Sequence, residues 1–145
     1  MLVEHIMARA RERLVVIGVD ASISDAAVLM RAPETDLVVV CDGKTMAGVV
    51  TKGDIVRLVA GREVNPHGAL ADLMTREIVT CRADDRLLDV WSAMSDHRFS
   101  RVPVLDDSRR AIGVVYARDA LQALLRDAEH EEEVLRAYVQ GVGYH

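Results

Sequence analysis

The chain has 145 residues, half of them hydrophobic but only 3% aromatic, and a formal charge of −5. That length suits one domain, or two small halves around a shared core, and the core must be built from Val, Leu, Ile, Ala and Met in α/β layers. The acidic balance argues against general nucleic-acid binding, and no run approaches the roughly 20 apolar residues of a spanning helix.

Met1-Leu2-Val3-Glu4-His5 lacks a basic region followed by a long apolar stretch, so no targeting or membrane segment is expected. Cys41 and Cys81 lie in apolar runs without CxxC spacing, which reads as two buried, reduced core thiols and a cytoplasmic protein.

The first turn, Val3-Glu4-His5-Ile6-Met7, has a counterpart in Leu70-Ala71-Asp72-Leu73-Met74. Each precedes a short apolar run, residues 14–16 and 78–80, that reads as the start of a strand. A helix then follows in each copy. Ser22 and Asp25 form a capping pair ahead of Ile23, Ala26, Ala27 and Met30, and the second copy keeps the face as Leu87, Val90, Trp91 and Met94. Residues 14–30 align with 78–94 without a gap, which identifies an internal repeat.

One extra residue is then placed in the second copy, ahead of a strand pair expected at 37–41 with 46–51 and at 102–105 with 111–116. Asp42-Gly43 supplies the first turn and Asp107-Ser108 a weaker equivalent. The second strands end in Gly48-Val49-Val50-Thr51-Lys52-Gly53-Asp54 and Gly113-Val114-Val115-Tyr116-Ala117-Arg118-Asp119. Both strings run from a glycine through an apolar strand to an aspartate at a helix start, where strand-end and helix-start groups can meet a ligand together.

Each aspartate opens a second helix, marked by Ile55, Leu58 and Val59 and by Leu121, Leu124, Leu125 and Ala128. The polar, turn-rich stretch 62–69 reads as a linker between halves 1–61 and 70–128, with His67 solvated. Residues 129–145 have no counterpart. Leu135, Tyr138, Val139 and Val142 give them a helical stripe that wants a partner, with a helix end at Gly141. The acidic run around His130 reads as a solvated face rather than a metal site, because adjacent helical residues point apart.

Two copies of strand, helix, hairpin and helix, the first carrying a string of the form G-h-h-T-x-x-D and the second the same string with Tyr116 in place of the threonine, resemble a tandem pair of cystathionine-β-synthase (CBS) domains, the Bateman module. Arg101-Val102-Pro103-Val104-Leu105-Asp106 ahead of the second string adds to the likeness, which covers about residues 3–128. It implies an α/β (α+β) fold of two β-α-β-β-α repeats related by a pseudo-two-fold axis, with the extra C-terminal helix appended. It also implies a homodimer and clefts between repeats that take an adenine nucleotide, S-adenosylmethionine or another adenosyl ligand.

Carried over by residue, the resemblance implies one complete cleft made of Thr51, Asp54, Ile78, Val79, Ser100, Arg101 and Pro103. Ribose would sit on Asp54 and phosphate near Thr51 and Arg101. A second, weaker cleft would combine Leu14, Val15, Tyr116 and Asp119 with Asp36, which is aligned with Arg101 and would repel phosphate. The plainer reading of Asp54 and Asp119 is that they are helix-start residues favoured by the helix dipole. No nucleophile with a positioned base, metal-ligand spacing or G-x-x-x-x-G-K loop stands out, so no enzyme and no required cofactor is expected. The expectation is a ligand-sensing module acting through its dimer or an unknown partner protein, with no nucleic-acid or membrane partner; the alternative is a ligand-free dimerisation module.

Overall fold

The computed structural model of the protein describes residues 1–61 and 65–143. Residues 62–64 of the expected linker and 144–145 of the tail lie outside the described residues. A 3-10 turn, Val3–Ile6, leads into α1 (Met7–Arg13), β1 (Val16–Gly18), α2 (Ile23–Leu29), β2 (Leu37–Asp42), β3 (Thr45–Thr51) and α3 (Lys52–Ala60). The second copy supplies α4 (Leu70–Leu73), α5 (Leu87–His97), β4 (Arg101–Leu105), β5 (Ala111–Tyr116) and α6 (Ala117–Gly143). The chain thus folds as a mixed α/β pair of repeats.

In the first copy β1 runs parallel to β2, which pairs antiparallel with β3; in the second only β4 and β5 form a ladder. Residues 78–80 are not a strand, contrary to expectation, and a single parallel bridge from Cys81 to Val104 stands in for one. The cause is Pro103. In the first copy the amide of Val39 donates to the carbonyl of Val15 at 2.9 Å. Pro103 occupies the equivalent place, opposite Val114 as Val39 is opposite Val49, and has no N–H to donate to Val79.

The strand registers also move the extra residue. Leu37 lies opposite Thr51 and Arg101 opposite Tyr116, so Arg101 corresponds to Leu37 and Ser100 to Asp36. The insertion is in the second hairpin turn, not before the strands: Cys41 pairs with Met46, but Leu105 with Ala111. Gly43 has φ +62 as the first turn requires, whereas in the second the left-handed residue is Arg109, φ 61, rather than Ser108. Asp106 holds that longer turn, its Oδ1 accepting from the amides of Ser108 and Arg110 at 2.9 Å each.

The glycines that open the two strings are needed for close approach. A Cβ on Gly48 would lie 2.7 Å from the carbonyl oxygen of Thr75 and 3.0 Å from Met74 Sδ. On Gly113 it would lie 3.0 Å from Ala10 Cβ and 3.1 Å from Met7 Cε. Each repeat's opening segment therefore packs on the other repeat's β-string, with Met7 and Met74 in matching roles. The cores follow this exchange: Val3, Met7 and Ala10 cluster with Leu87, Val90, Val102 and Val115, and Leu70 and Met74 with Ile23, Val38 and Val50. A third cluster, including Leu37, Val39, Val49, Leu105, Val114 and Tyr116, joins the two hairpins.

α2 begins as the sequence requires, Ser22 Oγ accepting from the Asp25 amide while Asp25 accepts from the Ser22 amide. Cys81 is buried, and that burial, with the nearby Asp85, pushes its thiol up to about 12; Cys41 is only half-buried, a correction to its expected core position. The separate terminal helix is likewise corrected: α6 is continuous from Ala117 and passes Gly141 to Gly143. A helical glycine costs only about 1 kcal/mol, too little to force a stop. Its outer half exposes Val134, Leu135, Tyr138 and Val139. Among the described residues no helix is long and apolar enough to cross a membrane.

Candidate functional site

The first string resolves into a strand that ends in a helix cap. Thr51 is the N-cap of α3, its Oγ1 accepting from the Asp54 amide at 3.2 Å, and Asp54 Oδ2 accepts from the Thr51 amide at 2.9 Å. Asp54 Oδ1 accepts from Arg57 Nη2. The aspartate is 5% exposed, yet a carboxylate has about four acceptor sites, so each oxygen retains capacity for a ligand hydroxyl. The Thr51 hydroxyl hydrogen has no acceptor among the hydrogen bonds of the described residues.

Around this cap lies a cavity of about 400 Å³ between the repeats. Its lining combines apolar Leu37, Val49, Ile78, Val79 and Phe99 with Thr51, Asp54, Ser100 and the charged side chains of Asp36, Lys52, Arg57, Arg98 and Arg101. The volume falls within the roughly 300–1,000 Å³ of small-molecule sites. Thr51, Asp54, Ile78, Val79, Ser100 and Arg101 thus share one space, whereas Pro103 is buried in β4 and does not line it. Pro103 shapes the wall indirectly, because the strand it truncates leaves Ile78 and Val79 beside the cavity.

Asp36 belongs to this cavity as well, and not opposite Asp119. Its carboxylate accepts from Arg101 Nη2 at 2.7 Å, lies 3.3 Å from Lys52 Nζ and 3.8 Å from Arg118 Nη2. Burial alone would push this carboxyl up, but Arg101 and Lys52 outweigh it and hold it below the usual carboxylate range. Arg101 also donates through Nη1 to Ser100 Oγ at 2.9 Å, while its buried Nε has no partner among the described residues.

The residues of the expected second cleft are each engaged by partners within the chain. Arg13, at the end of α1, donates from Nε and Nη2 to Asp119 at 2.9 and 3.1 Å and lies 4.5 Å over the Tyr116 ring. Arg9 adds a contact to Asp119 at 3.7 Å. Burial would raise the Asp119 carboxyl, but the Arg13 bonds and the charges of Arg13, Arg9 and Arg118 hold it low. Tyr116 is 2% exposed, and its hydroxyl accepts from the Asp36 amide at 3.2 Å and donates to the Glu34 carbonyl at 3.4 Å. Leu14 packs against the inter-hairpin cluster and Val15 against the first-repeat core. Arg13, absent from the sequence reading, therefore fills the position over Tyr116.

Arg9 and Arg13 at i and i+4 mark one basic face of α1, a visible signal, but their shared partner Asp119 lies 106 residues beyond Arg13. Lys52 stood inside the quoted string; Phe99, at 41% exposure, carried no signal beyond being the chain's one phenylalanine.

Two α/β repeats, the second with its first strand reduced to a single bridge, that exchange their opening segments and enclose a charged cavity of small-molecule size define a tandem-repeat α/β module. The chain belongs to the CBS-domain family, whose model, described as "CBS domain", matches residues 3–61 and 70–126. Among solved structures it is similar to the CBS-domain protein ATU1752 of Agrobacterium tumefaciens, at 29% identity and TM-score 0.74 over 85% of this chain and 98% of that one. CBSX2 in complex with AMP matches at 25% identity and TM-score 0.76, covering 88% and 98%. The CBS domain pair of protein MJ0100, in complex with 5′-methylthioadenosine and S-adenosyl-L-methionine, matches at 25% and 0.73, covering 86% and 99%.

Two curated proteins show similarity over part of their length. A homoserine O-acetyltransferase of Methanocorpusculum labreanum is 38% identical over 96 residues, 66% of this chain and 19% of that protein. The mitochondrial CBS domain-containing protein CBSX3 of Arabidopsis thaliana is 33% identical over 114 residues, 74% of this chain and 54% of that protein. The chain thus spans about a fifth of the first relative and about half of the second.

Proposed function

We propose that the protein is a regulatory, non-catalytic CBS pair that binds an adenine nucleotide or related adenosyl ligand in the cavity between its repeats. The observation that carries this reading is the meeting, in one space of about 400 Å³, of apolar side chains with the Thr51–Asp54 cap and Arg101. Asp54 would accept ribose hydroxyls, Thr51 would donate to a ligand oxygen, and Ile78, Val79 and Phe99 would enclose the base. AMP bound to CBSX2, and the adenosyl ligands bound to the MJ0100 pair, are consistent with such a ligand here.

The bound form would act through a second copy or another protein. The exposed stripe Val134, Leu135, Tyr138 and Val139 on α6 supports self-association, and it also favours a second reading, a dimerisation module that binds no ligand. Thermal melts with AMP, ADP, ATP and S-adenosylmethionine separate the two. A ligand at about 100 times its Kd adds about 2.7 kcal/mol, several degrees for a chain of this size. A shift with any of them supports sensing; four unshifted melts favour the ligand-free module.

A further inference from the structure

We propose that Asp36 is the residue that sets the charge preference of the cavity, disfavouring a phosphate on the ligand relative to an uncharged 5′ substituent. The inference rests on the adenosyl reading above and names what that site selects. The lining carries four cationic side chains, Lys52, Arg57, Arg98 and Arg101, which by themselves would favour phosphate. Asp36 reverses that locally. Its carboxylate already occupies Arg101 at 2.7 Å and Lys52 at 3.3 Å, and draws Arg118 to within 3.8 Å. It is an internal anion seated on the cations a phosphate would use.

The side chain of Asp36 is 18% exposed, so its charge is little screened by salt, and the residue immediately precedes β2, where its main-chain carbonyl accepts from the amide of Lys52, the first residue of α3, at 3.2 Å. Its own amide is fixed by the Tyr116 hydroxyl at 3.2 Å. The backbone that carries the carboxylate is thus held at both its amide and its carbonyl, and a loop movement cannot withdraw it without breaking those bonds. A phosphate at Arg101 must either sit beside a second anion or take Arg101 from it, and like charges in a partly buried site repel. An uncharged thioether meets no such conflict.

Isothermal titration of the parent, Asp36→Asn and Asp36→Ser with AMP and with 5′-methylthioadenosine tests this, with melting curves to confirm that each variant is folded. Asn keeps the acceptor for Arg101 and removes the charge. The ratio Kd(AMP)/Kd(methylthioadenosine) should fall at least tenfold in both variants, through tighter AMP binding. An unchanged or increased ratio in a folded variant that still binds overturns the role of Asp36 and leaves the adenosyl reading standing. Failure of both ligands to bind all three proteins overturns the adenosyl reading and this inference with it.

Discussion

Thr51 and Asp54 stand where β3 enters α3, and Tyr116 and Asp119 stand where β5 enters α6; the two places have the same backbone plan and opposite uses of their aspartates. In the first, a threonine short enough to cap the helix satisfies the aspartate locally, and the pair borders open space. In the second, tyrosine is too long to cap. It turns into the layer between hairpins, and its aspartate is satisfied by Arg13 from the start of the chain. One change of side-chain length therefore converts a cap beside a cavity into a buried junction between α1, β5 and α6.

If that contrast is right, the two aspartates must differ in what they stabilise. Replacing Arg13 by Met removes one partner of a pair whose side chains are 8% and 9% exposed, and should cost about 3 kcal/mol or more in denaturant unfolding, with a further contribution from the lost contact over Tyr116. Asp54→Ala removes only a cap and a bond to the exposed Arg57, so about 1 kcal/mol is expected. Equal losses at the two positions would dissolve the comparison.

A steric prediction lies between these. Gly48→Ala places a Cβ against the Thr75 carbonyl, where a flexible side chain cannot give way, and should lower stability by about 1–3 kcal/mol in the same assay. A neutral result would mean that the exchanged opening segments are not held as closely as the Met74 contact implies.

The smallest effect is in pH. The Asp119 carboxyl is held below its ordinary value, so its contribution is fully present above about pH 4, the unfolded carboxylate range, and disappears as pH falls through the lower folded value. The stability gap between the parent and Asp119→Asn should be constant from neutral pH down to that range and narrow below it. A gap that widens on acidification contradicts the ion pair.

Most of the fold could be read from the sequence because the repeat is written in local chemistry: a capping pair at Ser22, glycines before aliphatic strands, and a gapless run from 14 to 30 over 78 to 94. What could not be read was where counting residues replaces a physical constraint. Counting residues puts the extra one before the strands and so matches Asp36 to Arg101, whereas the hairpin registers put it in the turn and the two side chains bind each other. The missing second-repeat strand follows from one proline whose partner could be known only after the first repeat's Val39 to Val15 bond was seen. Arg13 was out of reach for another reason: an ion pair across 106 residues has no local signature.

On the proposed function, the cavity at Thr51 and Asp54 binds a ligand while the Arg13–Asp119 junction is structural. Calorimetric titration of AMP, or of whichever adenosyl ligand shifts the melting temperature, into the parent and Asp54→Asn tests it most directly. The predicted result is one ligand per chain in the parent and at least tenfold weaker binding in the variant; two ligands per chain, or undiminished affinity in Asp54→Asn, would contradict it.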